Sequence, residues 1–252
     1  MAETKFPTEV VDLPSKGYFY PEDNPLSSGQ IEIKYMTAKE EDILTSQNLI
    51  QKGIVLDKLL ESLVVDKKID LNSMLIGDKN ALFIASRVLA YGKEYTFDYI
   101  DNTGLSKEHT HDLTKLKDKK IDFSKHEKGK NLFSFKLPQA ERTIEFKLLT
   151  DGDEREVGKE VEALSKVSGG VTKEVTTRYK KMIISVDGNS EQAFVNNFVD
   201  NEFFTQDSQA FRSHYQEITP DIDMDIVIDD GGEGVEITVP MTVRFFWPSV
   251  KL

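Results

Sequence analysis

Residues 94–113 read EYTFDYI-DNTG-LSKEHTHDL, and residues 221–246 read DIDMDIVI-DDGGEG-VEITVPMTVRFF. These two stretches decide the fold class. In each, apolar and polar residues alternate on the way into a turn rich in Asn, Asp or Gly, the pattern of a strand that returns on itself. Strand geometry puts Tyr95, Phe97 and Tyr99 on one face of the first hairpin and Glu94, Thr96 and Asp98 on the other. Residues 105–113 supply its return strand. The second hairpin returns through Val235 to Phe246, bent at Pro240. Asp221, Asp223 and Asp225 line one strand face, where like charges repel and blunt an edge. Two further runs, LFSFKL at 132–137 and TIEFKL at 143–148, predict a third hairpin.

Between the hairpins the apolar period becomes helical. Thr37 with Glu40 three residues later fits a capping box, so a helix starts there and runs to about Gln51, with Gly53 as its stop. Leu56, Leu59, Leu60, Leu63 and Val64 recur at the 3, 4 spacing of a second helix. Asp78 is placed to cap a third, Lys79 to Tyr91, which Gly92 ends. Four more helices are expected at 151–166, 172–184, 189–199 and 205–215, with Ser168-Gly-Gly as a break. The class is α+β, helical segments packed around small antiparallel hairpins.

The expected organisation is an extended arm at 1–29, a strand and helices at 30–93, the first hairpin and a β insertion at 94–149, helices at 150–220, and a closing hairpin with an aromatic tail at 221–252. Residues 30–252 read as one globular unit. Pro7, Pro14, Gly17, Pro21, Pro25 and Gly29 punctuate the arm around the cluster Tyr18, Phe19, Tyr20. Two readings of these rings stand open: packing on the protein's own core, or docking on a neighbour. The same choice applies to Phe245, Phe246, Trp247 and Pro248, since aromatic residues serve both cores and binding hot spots.

The net charge of −12 argues against a nucleic-acid module, which carries a basic face. With no cysteine among 252 residues, disulfides and thiolate metal sites are excluded. No run approaches the ~20 apolar residues of a membrane span, and the first residues do not read as a secretory signal. The expected location is the cytosol where the chain is made.

Catalytic constellations are few. No GxxxxGK, no strand-borne GxGxxG and no GxSxG is present. Gly231, Gly232 and Gly234 read as hairpin turn residues. His109 and His111 share a strand face and could hold a metal with Glu108 or Asp112, but two solvated histidines in a polar loop are the far simpler reading, since such a site needs at least three converging ligands. Asp151, Asp153, Glu154 and Glu156 match a calcium loop in composition only, because Arg155 and Lys159 interrupt the run. No cofactor and no catalytic or metal-binding residue is assigned.

The order of features resembles a known family. Leu13-Pro-Ser-Lys-Gly-Tyr-Phe-Tyr-Pro leads to a strand and then Met36-Thr-Ala-Lys-Glu-Glu-Asp-Ile-Leu. Asp78-Lys-Asn-Ala-Leu-Phe-Ile-Ala-Ser-Arg and Tyr91-Gly-Lys-Glu-Tyr follow. Val239-Pro240 and Phe245-Phe-Trp-Pro248 close the chain. Over nearly its whole length the chain is similar to the baseplate hub assembly family of T4-type contractile-tailed bacteriophages. In many members of that family two hairpins carry Cys-x-x-Cys knuckles that share one zinc. The matching positions here, Asp101-Asn-Thr-Gly104 and Ile228-Asp-Asp-Gly231, have no thiol. The resemblance therefore implies a zinc-ribbon-like but cysteine-free pair of hairpins, held by packing of Tyr95, Phe97 and Tyr99 against Val235, Ile237 and Phe245.

It also implies a non-enzymatic role in baseplate assembly in the host cytoplasm or the virion, with other baseplate or hub proteins as partners. Self-association is a further expectation; nucleic acid and membrane are not expected partners. Candidate contact residues are Tyr18, Phe19, Tyr20, Phe245, Phe246, Trp247 and Pro248. Alternatives are a transient assembly chaperone absent from the finished virion, a regulatory binding module of a bacterial cell, and a metal-dependent enzyme built on His109 and His111.

Overall fold

A computed structural model describes residues 7–165, 172–229, 234–241 and 243–247. The chain begins with Thr8–Asp12 (β1), paired antiparallel with Gln30–Lys34 (β2) so that Val10 opposes Glu32 and Val11 opposes Ile31. The loop between them turns inward. Leu13, Phe19, Tyr20 and Leu26 are each less than 5% exposed. Of the two readings left open for the rings of the arm at 1–29, Phe19 and Tyr20 follow the one in which they pack on the protein's own core. Prolines and glycines make a tight loop whose Phe19 and Tyr20 rings are buried in the core, with Tyr18 packed against it.

Helices follow at Ala38–Thr45 (α1), Gln47–Gln51 (α2), Val55–Leu63 (α3) and Ile76–Tyr91 (α4). The Glu40 carboxylate accepts from the backbone N–H of Thr37 at 2.9 Å, as the capping motif predicts, and also from the Thr37 hydroxyl at 2.6 Å. The single helix expected to Gln51 breaks at Ser46, whose ψ of 103° is extended. Leu59, Leu60 and Leu63 bury the face that their spacing forecast.

Asp78 does not cap α4. The helix starts earlier, at Ile76, and Asp78 lies in its first turn, fully buried. Its carboxylate accepts from the Ser15 N–H at 2.9 Å, the Ser15 hydroxyl at 2.7 Å and the Tyr20 hydroxyl at 2.5 Å. The Tyr20 oxygen in turn accepts from the Leu75 N–H at 2.8 Å, one of the donors that a helix start leaves unpaired. One residue earlier, Gly77 lies against residues 220 and 221. A Cβ there would sit 1.9 Å from the Pro220 carbonyl oxygen, so only glycine fits.

Glu94–Ile100 (β3) and Ser106–Asp112 (β4) form the first ribbon, with Tyr95 opposite His111 and Phe97 opposite His109. Lys117–Asp118 (β5) falls in the lysine-rich stretch that reads as a plain loop. Phe133–Lys136 (β6) and Thr143–Phe146 (β7) make the expected third hairpin. Asp151–Ser165 (α5) and Glu174–Met182 (α6) follow. The helix expected to Ile184 stops two residues short, and Ile183–Val186 (β8) completes a three-stranded sheet with β7 in the middle. Its β-branched residues bury Ile183 and Val186 on that sheet. Gln192–Asn201 (α7) and Thr205–Ile218 (α8) lead to Ile222–Asp223 (β9), which pairs with β5.

The second ribbon is Asp225–Ile228 (β10) with Val235–Thr238 (β11). The Gly231-Gly232 part of its turn lies outside the described residues. The long return strand expected to Phe246 ends at Thr238; past Pro240 the chain becomes a helical turn, Val243–Phe246 (α9). Proline's missing N–H ends the ladder there. The sheets are small and antiparallel, and the class is α+β.

Asp78→Ala leaves three buried donors without an acceptor and is expected to cost roughly 3 kcal/mol, against about 1 kcal/mol for Tyr20→Phe. Urea unfolding of the two variants checks the order; equal midpoints would show that the carboxylate is not the organising partner.

Candidate interaction surfaces

The aromatic candidates divide by burial. Phe19 is 1% exposed, and its ring meets Phe133 edge-on at 5.2 Å between centroids. Tyr20 spends its hydroxyl on Asp78. Burial and the adjacent carboxylate push that phenol well above its ordinary pKa. Burial pushes the Asp78 carboxyl up as well, against the hydrogen bonds it accepts. Tyr18 is half-buried against Phe123, and its hydroxyl donates to the His126 carbonyl at 3.0 Å.

At the other end, Phe245 and Phe246 are 0% and 3% exposed. Phe245 meets Tyr95 edge-on at 5.0 Å, and Phe246 meets Phe83 at 5.6 Å. Trp247 is half-buried, with its Nε1–H donating to the Leu44 carbonyl at 3.0 Å. Pro248 lies outside the described residues. As contact residues for a partner, Phe19, Tyr20, Phe245 and Phe246 are therefore corrected: the core consumes their surface. The alternation of VEITVPMTVRFF suggested a strand with an outward face, and the helical turn after Pro240 removes that face.

His109 and His111 lie on the same ribbon face as Phe97 and Tyr95. The His109 ring is 5.8 Å from Phe97 and 6.0 Å from His111. Glu108 falls on the other face, and Asp112 is held by Lys93 at 2.9 Å and by Thr114. Among the described residues no group of three or more His, Asp or Glu side chains is placed to hold a metal ion. The acidic run at 151–156 is the start of α5. Asp153 accepts there from the N–H and the hydroxyl of Thr150, a cap that the sequence reading missed although Thr150 and Asp153 have the right spacing.

Two recesses were invisible in the sequence because their walls are far apart along the chain. The larger, about 710 Å³, lies between the β1–β2 ribbon and helices α1 and α3, lined by Thr8, Glu32, Lys34, Lys39, Ser62 and Lys67. Its charges are mostly satisfied from within. Lys34 donates to Glu40 at 2.7 Å, and the Ser62 hydroxyl donates to the same oxygen at 2.6 Å. Burial alone would raise the Glu40 carboxyl; the hydrogen bonds from Lys34, Ser62 and Thr37 bring it down to about 2. The Lys67 ammonium donates to the Glu61 and Val64 carbonyls at 2.7 and 2.5 Å. Burial, then Lys34 and Lys39, lower its pKa. The second recess, about 490 Å³, has His126 and His214 on its walls with Phe133. His214 stacks on Phe135 at 4.7 Å. No helix among the described residues is long and apolar enough to cross a membrane. Comparison of the chain with family models, with curated proteins and with solved structures found no match.

Phe246→Ala is expected to lose about 3–5 kcal/mol of stability, as for a buried aromatic, while Trp247→Phe loses about 1 kcal/mol with its one hydrogen bond. Thermal or urea unfolding measures both, and a silent Phe246→Ala would place that ring outside the core.

Burial holds the imidazoles of His111, His126 and His214 below their ordinary pKa of 6.5, with His109 adding to the effect at His111 and His214 at His126. The folded state therefore binds fewer protons than the unfolded one just below that value. This contribution to stability is complete above pH 6.5 and is lost as the pH falls through the lowered folded values. Urea midpoints measured from about pH 8 down to about pH 5 are expected to fall, and less steeply in His126→Asn/His214→Asn. An unchanged slope in that variant would count against the assignment.

Proposed function

We propose that the chain is a non-enzymatic protein of a contractile-tail baseplate hub, acting in baseplate assembly through contacts with other baseplate or hub proteins. The reading rests on the family resemblance of its motif order. The observation that carries it furthest is how the two ribbons meet. β3–β4 and β10–β11 share no ladder, yet Tyr99, Ile228 and Val235 bury one another, with Ile226 and Ile237 packed alongside. Tyr95 adds its contact to Phe245. Two ribbons side by side are what paired knuckles require, with apolar packing in the place of a shared metal.

The first turn is closed in the same spirit. Asp101 stands where the family's knuckle begins. Its Oδ1 accepts from the N–H groups of Thr103 and Leu105 at 2.8 and 2.9 Å and from the Thr103 hydroxyl at 2.6 Å. Lys107 pairs with its other oxygen at 3.0 Å. The Thr103 hydroxyl, the Leu105 N–H and Lys107 together hold that carboxyl far below the usual range. A carboxylate that gathers these donors does for the loop what a metal-bound thiolate would do, by hydrogen bonding instead of coordination. In this reading the ribbon pair is a zinc-ribbon-like scaffold without thiols.

The test mixes the purified full chain with separately purified baseplate hub proteins. Retention of at least one of them is expected, and retention of none by a folded chain would sink the reading. Mass spectrometry of purified virions then separates a resident component from a transient assembly factor.

A further inference from the structure

The β1–β2 ribbon has two outer edges, and they are treated differently. On the β2 side the edge is occupied: Ile33 bridges Val64, and the Val65 N–H donates to the Glu32 carbonyl at 3.0 Å. On the β1 side, the Pro7 carbonyl accepts from the Tyr35 N–H, and the Leu13 N–H donates to the Gly29 carbonyl. The N–H and C=O of one strand residue point the same way and alternate along the strand. Residues 7, 9, 11 and 13 therefore face β2, and the backbones of Thr8, Val10 and Asp12 face away from it. Among the described residues none of these outward groups has a hydrogen-bond partner from protein. Thr8, Val10 and Asp12 are exposed, Val10 by 55%.

A free ladder edge defines its ligand chemically. Only another extended backbone offers donors and acceptors at the repeat of Thr8, Val10 and Asp12. The side chains narrow the choice. Glu9 and Asp12 lie along this strand, and Glu32 sits across from Val10. Lys34, at the Thr8 end of the ribbon, is paired with Glu40. A second copy would bring its own Glu9, Asp12 and Glu32 to the edge, and like charges across a ladder repel. A strand with basic side chains would be attracted, the more so by a chain of net charge −12.

We propose that the outer edge of β1 is a strand-addition site that takes an extended, basic segment of a partner protein. The proposal deepens the reading of the chain as a protein-binding component and rests on it. The added strand pairs with Thr8, Val10 and Asp12, covers the exposed Val10 with its apolar side chains, and sets its lysines or arginines on the other face, beside Glu9. The other described ribbons are poorer templates: β4 carries Lys107, His109 and His111, and the ribbon of β10 and β11 already uses one face on the first ribbon.

The test uses a synthetic seven-residue peptide alternating lysine and valine as the probe and the full chain as the target, read by amide NMR and hydrogen exchange. Slowed exchange at Thr8, Val10 and Asp12 is expected, and a glutamate–valine peptide of equal length is expected to leave them unchanged. Val10→Pro deletes one outward donor, and proline is tolerated in an edge strand where its N–H would face solvent. This variant is expected to fold and to lose the protection; Asp12→Pro serves instead if it does not fold. Protection confined to other residues, equal binding by the proline variant, or equal binding of the acidic peptide would each overturn the proposal. So would self-association of the wild-type chain that Val10→Pro abolishes, since the edge would then belong to a second copy. If hub proteins bind wild type and Val10→Pro alike, the edge assignment fails while the functional reading stands.

Discussion

The buried carboxylate of Asp78 is the constraint on which the rest of the structure depends. Burying a charge among apolar residues is unfavourable unless it is paired or hydrogen-bonded. Asp78 meets that condition with donors from Ser15 and Tyr20, residues about sixty positions upstream. This arrangement fixes where residues 13–26 go. Once Ser15 and Tyr20 are held at the start of α4, Phe19 is carried onto Phe133, and Leu13 and Leu26 close over the core. The same first turn of α4 holds the other end of the chain. Gly77 admits the backbone at Pro220 and Asp221, and the Asn80 amide donates to the Asp221 carboxylate at 3.0 Å. One helix start thus gathers the N-terminal loop and the entry to the second ribbon.

Charge is handled in the same manner elsewhere. Lys79, on the next residue of α4, pairs with Asp57 of α3 and Asp151 of α5, and Arg155 pairs with both acids. The Asp207 carboxylate, fully buried at the start of α8, accepts from the N–H groups of Gln139 and Ala140 in the β6–β7 turn. These pairs are poor evidence of net stability, because desolvation offsets much of their attraction. Their effect is to specify which helix start meets which loop, and an unpaired alternative would be costly.

What the sequence made legible follows from the range of the interactions. Local patterns read correctly: the 3, 4 spacing of Leu59, Leu60 and Leu63, the Thr37 and Glu40 motif, and the alternation of Tyr95, Phe97 and Tyr99. Asp78 fits a helix cap by type and position, while its partners Ser15 and Tyr20 are distant and leave no local trace in the sequence. Ile183 and Ile184 fall within the helix expected from the preceding apolar period; β7 supplies the ladder that makes Ile183–Val186 a strand. Phe245 and Phe246 were placed on a strand by alternation and are turned inward by the break at Pro240. The recess at Lys34, Lys39 and Lys67 joins a strand, two helices and a loop, a juxtaposition that no single window of sequence contains.

The burial of the aromatic residues bears directly on the strand-addition site proposed at β1. With Phe19, Tyr20, Phe245 and Phe246 buried, the contact proposed at the outer edge of β1 is largely backbone, flanked by acids and the exposed Val10. A surface of that kind gains little from apolar area, and its specificity comes from geometry: the spacing of ladder donors and acceptors, and the sign of the charges beside them. The edge of β1 has both. Its acids oppose pairing between identical chains without blocking a strand of opposite charge, so the same residues that keep the edge from aggregating also select what is allowed to pair with it. And because the loop that leaves β1 is tied to Asp78, a strand added there would be held against the centre of the fold instead of a free tail.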